Sequence, residues 1–209
     1  ITAGNTSVLI SLAKNKKNDK KTRGFQEEAD RFLRYISTPQ VHPQPSQTEH
    51  HGSWLLCLDR RFSLARRIVS KHCRVYSLRS VPRFCHLFVT HHKHFKLCIM
   101  LKIRVDVLKV DLESAEWKIL ENLILEQVLD SVGLLLLELH LQWAGFEVGG
   151  DEPSVVRYWF SLLRELERAH FRLYHSYSDP SKPRLFLHRN LRNTSSSFTL
   201  GWVNTRFPL

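Results

Sequence analysis

The chain has no run of about eighteen uncharged apolar residues, the length a membrane-crossing helix needs, so no transmembrane segment is expected within its 209 residues. It also lacks a charged-then-apolar leader ahead of a small-residue cleavage site. It begins on Ile1, which reads as a chain starting mid-protein. The four cysteines, Cys57, Cys73, Cys85 and Cys98, include no Cys-x-x-Cys pair, which argues against a zinc ribbon or a thioredoxin motif. They suit either two disulfides in a secretory setting or buried thiols in a reducing one, and the sequence leaves both open. No single-stranded nucleic-acid module signature is found, and the aromatic residues fall at core spacing instead.

What is there fits one ordinary domain with an extension. The apolar share is 43%, with five Trp and twelve Phe, enough large apolar surface to argue against global disorder. The formal net charge of +11 invites a polyanion partner, nucleic acid or an acidic surface. Much of that charge is local. Lys14, Lys16, Lys17, Lys20, Lys21 and Arg23 form a basic lead-in expected to be disordered and solvated. Arg60, Arg61, Arg66, Arg67 and Lys71 alternate with Phe62, Leu64, Ile68 and Val69, as on the wet face of an amphipathic helix. Polyanion binding there would be unspecific.

The chain divides into a flexible segment over 1–24, a helical and linker region over 25–72, and an α/β region over 73–209. Phe25, Ala29, Phe32, Leu33 and Ile36 share one helical face. Residues 38–53 are rich in Pro, Gln, Ser and His and read as a surface loop, followed by a short apolar run over 54–58. Residues 73–78 read as a strand. Residues 79–101 hold His86, His91, His92 and His94 between Cys85 and Cys98. Their spacing fits no standard zinc pattern, so a surface loop is expected and no residue is assigned to a metal.

Residues 105–117 are the most informative stretch. Val105, Val107, Leu108 and Val110 make a buried strand that stops on Asp111 and Glu113. Ser114 then opens a helical pattern through Trp117, Leu120, Leu123 and Ile124 that reaches about Leu129. Carboxylates at the carboxyl end of a buried strand lie where open α/β sheets bind ligands. The alternative is that Asp111, Glu113 and Ser114 only cap the helix. After Gly133, the run Leu134 to His140 is a second buried strand with a charged tip, Glu138 and His140. Residues 143–153 form a loop, 155–170 a helix, and 171–177 and 184–189 two further strands, with a Ser-rich tail from Asn193. Strand–helix alternation of this kind predicts a parallel sheet flanked by helices, with a closing hairpin adding one antiparallel strand.

The sequence Val-Asp-Val-Leu-Lys-Val-Asp-Leu-Glu-Ser-Ala-Glu-Trp over 105–117, with Leu-Leu-Leu-Glu-Leu-His over 135–140, resembles the methyltransferase-like protein 24 group. That group is related to FkbM-type methyltransferases, whose hallmark is an Asp-x-Glu-(Gly/Ser)-x-Glu turn. Residues 32–36, 54–59 and 73–77 carry the resemblance further, so that it spans most of 25–78 and 104–206. It implies a Rossmann-like class I methyltransferase sheet and S-adenosylmethionine as methyl donor. It also implies a location in the secretory pathway. By the same resemblance Asp111, Glu113, Glu138 and His140 are the catalytic candidates, and Asp111, Ser77 and Leu78 border the donor. Glu116 and Trp143 are implied on the substrate side. Such groups can orient an acceptor, take up a proton, or hold a divalent cation that lowers the acceptor's pKa. The acceptor itself is not legible.

The family's donor cleft uses a glycine-rich turn after its first strand. Here Arg79-Ser80-Val81-Pro82-Arg83 contains no glycine. From Leu78 to Val105 lie about 26 residues, whereas one βαβ unit takes about 30 or more, so two extra strands cannot fit. Either the strand over 73–78 is wrongly assigned, or the first half of the sheet is truncated and activity is lost with it. The competing function is a non-catalytic basic protein that binds polyanions.

Overall fold

The computed structural model describes residues 24–59, 61–62, 75–79, 104–143, 150–191 and 194–207. The elements run in the order α1 (Phe25–Ser37), β1 (Thr48–His51), β2 (Trp54–Cys57), β3 (Val75–Arg79), β4 (Val105–Asp111), α2 (Glu116–Leu125), a 3-10 turn (Leu129–Ser131), β5 (Val132–His140), α3 (Glu152–Arg168), β6 (Phe171–Ser178), β7 (Leu185–Phe186), β8 (Arg189–Asn190) and β9 (Ser197–Asn204). The basic segment over 1–23, the amphipathic run beyond Phe62 and the His/Cys segment over 79–101 fall outside the described residues, except for Arg79.

Five strands form one sheet in the order β3-β4-β5-β9-β6. β3, β4 and β5 are parallel, and β9 is antiparallel to both β5 and β6. The sheet is therefore mixed, α/β in class, with helices against it. The strand expected over 73–78 exists, and Val75 to Arg79 pairs in register with Val107 to Asp111. The antiparallel member is not the segment over 184–189, which makes only the small β7–β8 hairpin. It is β9, within the stretch expected to be a tail. Its eight residues are all buried because it threads between two strands. Ser and Thr at alternate positions hide that burial from a hydropathy reading.

Alternation decides which face each strand residue serves. Leu108 and Val110 of β4, Leu135, Leu137 and Leu139 of β5, and Phe198, Leu200 and Trp202 of β9 join the helices in the main core. There Trp117 of α2 stacks on Trp159 of α3 with ring centroids 4.6 Å apart and planes 8° from parallel. Phe32 of α1 packs against both. Burial of these rings, each worth several kcal/mol against truncation, locks α1, α2 and α3 together over that face. Val107, Leu134, Leu136 and Val203 point the other way, into a smaller core closed by Trp54 and Cys57 of the β1–β2 hairpin. Cys57 is buried as a free thiol. The loop expected over 38–53 thus holds β1 at its end, paired with the apolar run after it. Asp59 pins this hairpin: its carboxylate accepts from the Ser46 and Arg61 backbone N–H groups and from the Arg61 guanidinium.

The helix after β4 is shorter than its periodicity. It opens at Glu116, not Ser114, because Glu113 and Ser114 hold positive φ of 49° and 85°. It closes at Leu125, not Leu129. Gln127 takes φ 56°, and the Val128 and Gln127 N–H groups bond back to the Leu123 and Ile124 carbonyls. This paired closure ends a helix although Val128 and Leu129 continue its apolar pattern.

Candidate functional site

The alternation that builds the small core also builds the site. Two positions past Lys109, whose ammonium lies 3.9 Å from the Trp54 ring centre, the same face of β4 carries Asp111. Two and four positions past Leu136, the same face of β5 carries Glu138 and His140. Because Val110 pairs with Leu137, the two carboxyl ends lie side by side. The result is one carboxylate oxygen of Asp111, one of Glu138 and a ring nitrogen of His140 all within 4.8 Å of one another, each residue partly shielded from solvent. They sit at the carboxyl edge of adjacent parallel strands, the usual ligand position of an open sheet.

Glu116 supports them from beneath. It is 1% exposed. Its Oε2 accepts from the Ser114 N–H at 2.7 Å, and its Oε1 accepts from the His140 N–H at 2.7 Å. The same Oε1 stands 3.2 Å from His140 Nδ1. With Nδ1 engaged, Nε2 is the nitrogen facing Glu138, at 3.8 Å from Oε1. Glu138 is itself steadied by the Ser197 hydroxyl, which donates to Oε1 at 3.0 Å. Burial alone would pull the His140 pKa down. The hydrogen bond with Glu116 and the charges of Glu116, Glu138 and Asp111 outweigh it and hold the pKa above the ordinary imidazole value.

Capping does not account for these acids. The residue at the N-cap of α2 is Ala115, with no side-chain cap hydrogen bond. Among the described residues, Glu116 is the acid of the turn that bonds a backbone N–H nearby, at Ser114. Ser114 is buried at φ 85°, a left-handed conformation that glycine or a small residue takes at least steric cost.

The remaining candidates fall around this centre. Glu113 is exposed on the turn, at the rim. Ser77 and Leu78 lie on β3, paired with Lys109 and Val110, so their backbone borders the same edge of the sheet. Trp143 is half-buried, three residues past the end of β5. Sequence reasoning missed Ser197, since its tie to Glu138 depends on β9 entering the sheet, where it pairs with His140. No local pattern signals that pairing. The arrangement offers a base, two further acceptor carboxylates and a deep orienting acid, a set able to position a polar group and move a proton.

The chain is 42% identical over 244 aligned residues to a human (Homo sapiens) protein named probable methyltransferase-like protein 24, covering 88% of this chain and 67% of that one. A protein of the same name from rat (Rattus norvegicus) is 42% identical over 245 residues, covering 89% of this chain and 68% of the relative. Both alignments are longer than the 209-residue chain itself, so the relatives carry positions with no counterpart here. No protein-family model and no solved structure matches.

Proposed function

Because the chain belongs to the methyltransferase-like protein 24 family, we propose that it is an S-adenosylmethionine-dependent methyltransferase whose acceptor side lies at the carboxyl edge of β4 and β5. The observation that carries this reading is the convergence of Asp111, Glu138 and His140 within 4.8 Å at that edge. The sheet order, with antiparallel β9 between β5 and β6, supports the second half of a class I methyltransferase sheet.

S-adenosylmethionine would supply an electrophilic methyl group on its sulfonium sulfur. The chain's own residues then have an acceptor to hold and a proton to remove from it. Asp111 and Glu138 are suited to accept hydrogen bonds from an acceptor hydroxyl or amine, and His140 Nε2 or a carboxylate to take the proton. Glu116 acts through His140 as a positioning residue, since its oxygens are already engaged. Glu113 and Trp143 stand where an acceptor would enter.

The fit is uneven. The crevice of Asp111, Glu138 and His140 supports an acceptor side, and β3 lies beside β4 where the donor would border the sheet. No glycine follows β3 over 79–83, and the relatives carry positions absent here. Both support a donor half shortened between β3 and β4, and hence weak donor binding. Titrating the folded chain with S-adenosylmethionine by calorimetry tests this. Saturable heat with a dissociation constant on the order of millimolar, weakened in Asp111→Asn, agrees with it. Absence of heat at several millimolar donor, on protein shown to be folded, overturns donor binding for this chain and leaves ancestry alone. The polyanion reading has no site geometry behind it, since most of its basic residues lie outside the described ones.

A further inference from the structure

We propose that Asp111, Glu138 and His140 form a binding site for one divalent cation, of the hard-to-borderline class that manganese represents. The proposal rests on the same crevice as the methyltransferase reading but not on donor binding, and its readout is the metal alone.

Three features point to a cation. First, the donors come from two strands and one face, and lie within 4.8 Å of one another, so that side-chain shifts of a few tenths of an ångström or somewhat more bring all three to the about 2.0–2.2 Å at which atoms share one ion. Second, His140 is arranged as ligating histidines are. Its Nδ1 is engaged by the buried Glu116 carboxylate at 3.2 Å, which leaves Nε2 directed to the side of Glu138. A carboxylate behind an imidazole fixes the tautomer and raises the basicity of the ligating nitrogen. Third, Glu138 has its own anchor in the Ser197 hydroxyl at 3.0 Å, so two of the three donors are held before any ion arrives.

The donor chemistry narrows the class. Two carboxylates and one imidazole suit Mn²⁺, Fe²⁺, Mg²⁺ or Zn²⁺ better than a soft metal, which would call for thiolate. Two anionic ligands also balance a 2+ charge. Three protein ligands leave positions open for water or an oxygen acceptor, and an acceptor hydroxyl bound there would lose its proton more readily. The rival is an imidazolium held between the carboxylates with no metal, and it makes opposite predictions about added cation.

Mn²⁺ is the probe because it favours carboxylate oxygen, whereas Zn²⁺ or Ni²⁺ would also be drawn to the His-rich stretch over 86–94. The metal-free 209-residue chain is titrated with Mn²⁺ and the free-ion electron paramagnetic resonance signal followed. One equivalent should be bound, with at least a tenfold loss of affinity in Asp111→Asn and in His140→Gln. Glu49→Gln, at the exposed Glu49–His51 pair, should leave affinity unchanged. If a variant loses its fold, paramagnetic broadening in the wild-type chain decides instead. Substoichiometric Mn²⁺ should broaden the His140 ring resonances before those of His51. Failure to bind Mn²⁺, or broadening that spares His140, overturns the site. Bound Mn²⁺ without S-adenosylmethionine binding would support the site and count only against the donor reading.

Discussion

The Glu116 carboxylate grips His140 at two points, accepting from its backbone N–H at 2.7 Å and standing 3.2 Å from its ring Nδ1. One buried acid at the root of α2 thereby sets both the end of β5 and the orientation of the imidazole. Glu116→Ala leaves the Ser114 and His140 N–H groups without their partner, at a cost of about 1–3 kcal/mol. Chemical denaturation should show that loss. Glu116→Gln keeps the size and one acceptor oxygen, so it should recover part of the stability. It should still lower the affinity of the His140 site for Mn²⁺ by about tenfold, the usual effect of losing a ligand's partner. Equal stability and equal affinity in both variants would remove Glu116 from its positioning role.

Ser197 offers a milder test of the same idea. Its hydroxyl donates to Glu138 Oε1, and its side chain is small, so Ser197→Ala creates no large void. Stability should fall by only about 0.5–1.5 kcal/mol. Mn²⁺ affinity should fall by about tenfold, because Glu138 is no longer held toward the ion. Ser197→Thr, which keeps a hydroxyl, should rescue affinity.

The turn between β4 and α2 gives a prediction of opposite sign. Ser114 is buried at φ 85°, and its hydroxyl has no hydrogen-bond partner among the described residues. An L-residue there costs about 1–2 kcal/mol that glycine does not. Glycine in turn loses somewhat more chain entropy on folding. Ser114→Gly should therefore raise stability by about 0.5–1 kcal/mol, read as a higher denaturation midpoint. Ser114→Val should lower it.

Gly201 answers to space rather than to backbone angle. A Cβ built there would stand 2.7 Å from the Tyr174 ring, inside any real contact. The ring has little freedom to retreat, because Tyr174 is buried and its hydroxyl donates to the Leu55 carbonyl at 2.6 Å. Gly201→Ala should cost about 1–3 kcal/mol by overpacking. The Tyr174→Leu background should absorb much of that cost, a coupling that a double-mutant cycle measures.

The parts of this molecule legible in its sequence are those whose signal is local. Residues 105–110 and 134–140 read as strands, within the observed Val105–Asp111 and Val132–His140, because a β-branched or leucine run of strand length meets a charged tip. Counting alternate residues from Val107 and Leu134 would also have put Asp111, Glu138 and His140 on one face. β9 was illegible because its central place in the sheet comes from pairing with β5 and β6, while its own Ser197, Thr199 and Gly201 look like loop residues. The resemblance implies Glu116 on the substrate side, whereas the structure buries it. Its burial follows from the two left-handed residues before α2, and no propensity announces those. The Schellman-type closure at Gln127 was hidden in the same way by an apolar pattern that runs past it.

Acid should weaken the hairpin that floors the small core. Hydrogen bonds from the Arg61 guanidinium and from the Arg61 and Ser46 backbone hold the Asp59 carboxyl well below the usual carboxylate range. A folded-state pKa below the unfolded value, about 3.9, means the carboxylate contributes stability that is fully present above that pH. The contribution fades as pH falls from there toward the folded-state pKa. Asp59→Asn removes the titration while keeping the shape. At neutral pH the variant should be the less stable chain, and the difference from wild type should shrink as pH is lowered through about 4. Trp54 lies on this hairpin, with the Lys109 ammonium over its ring, so its indole resonance reports the local loss directly. A gap between wild type and variant that stays constant from pH 7 to about 2 would show that Asp59 does not contribute through its charge.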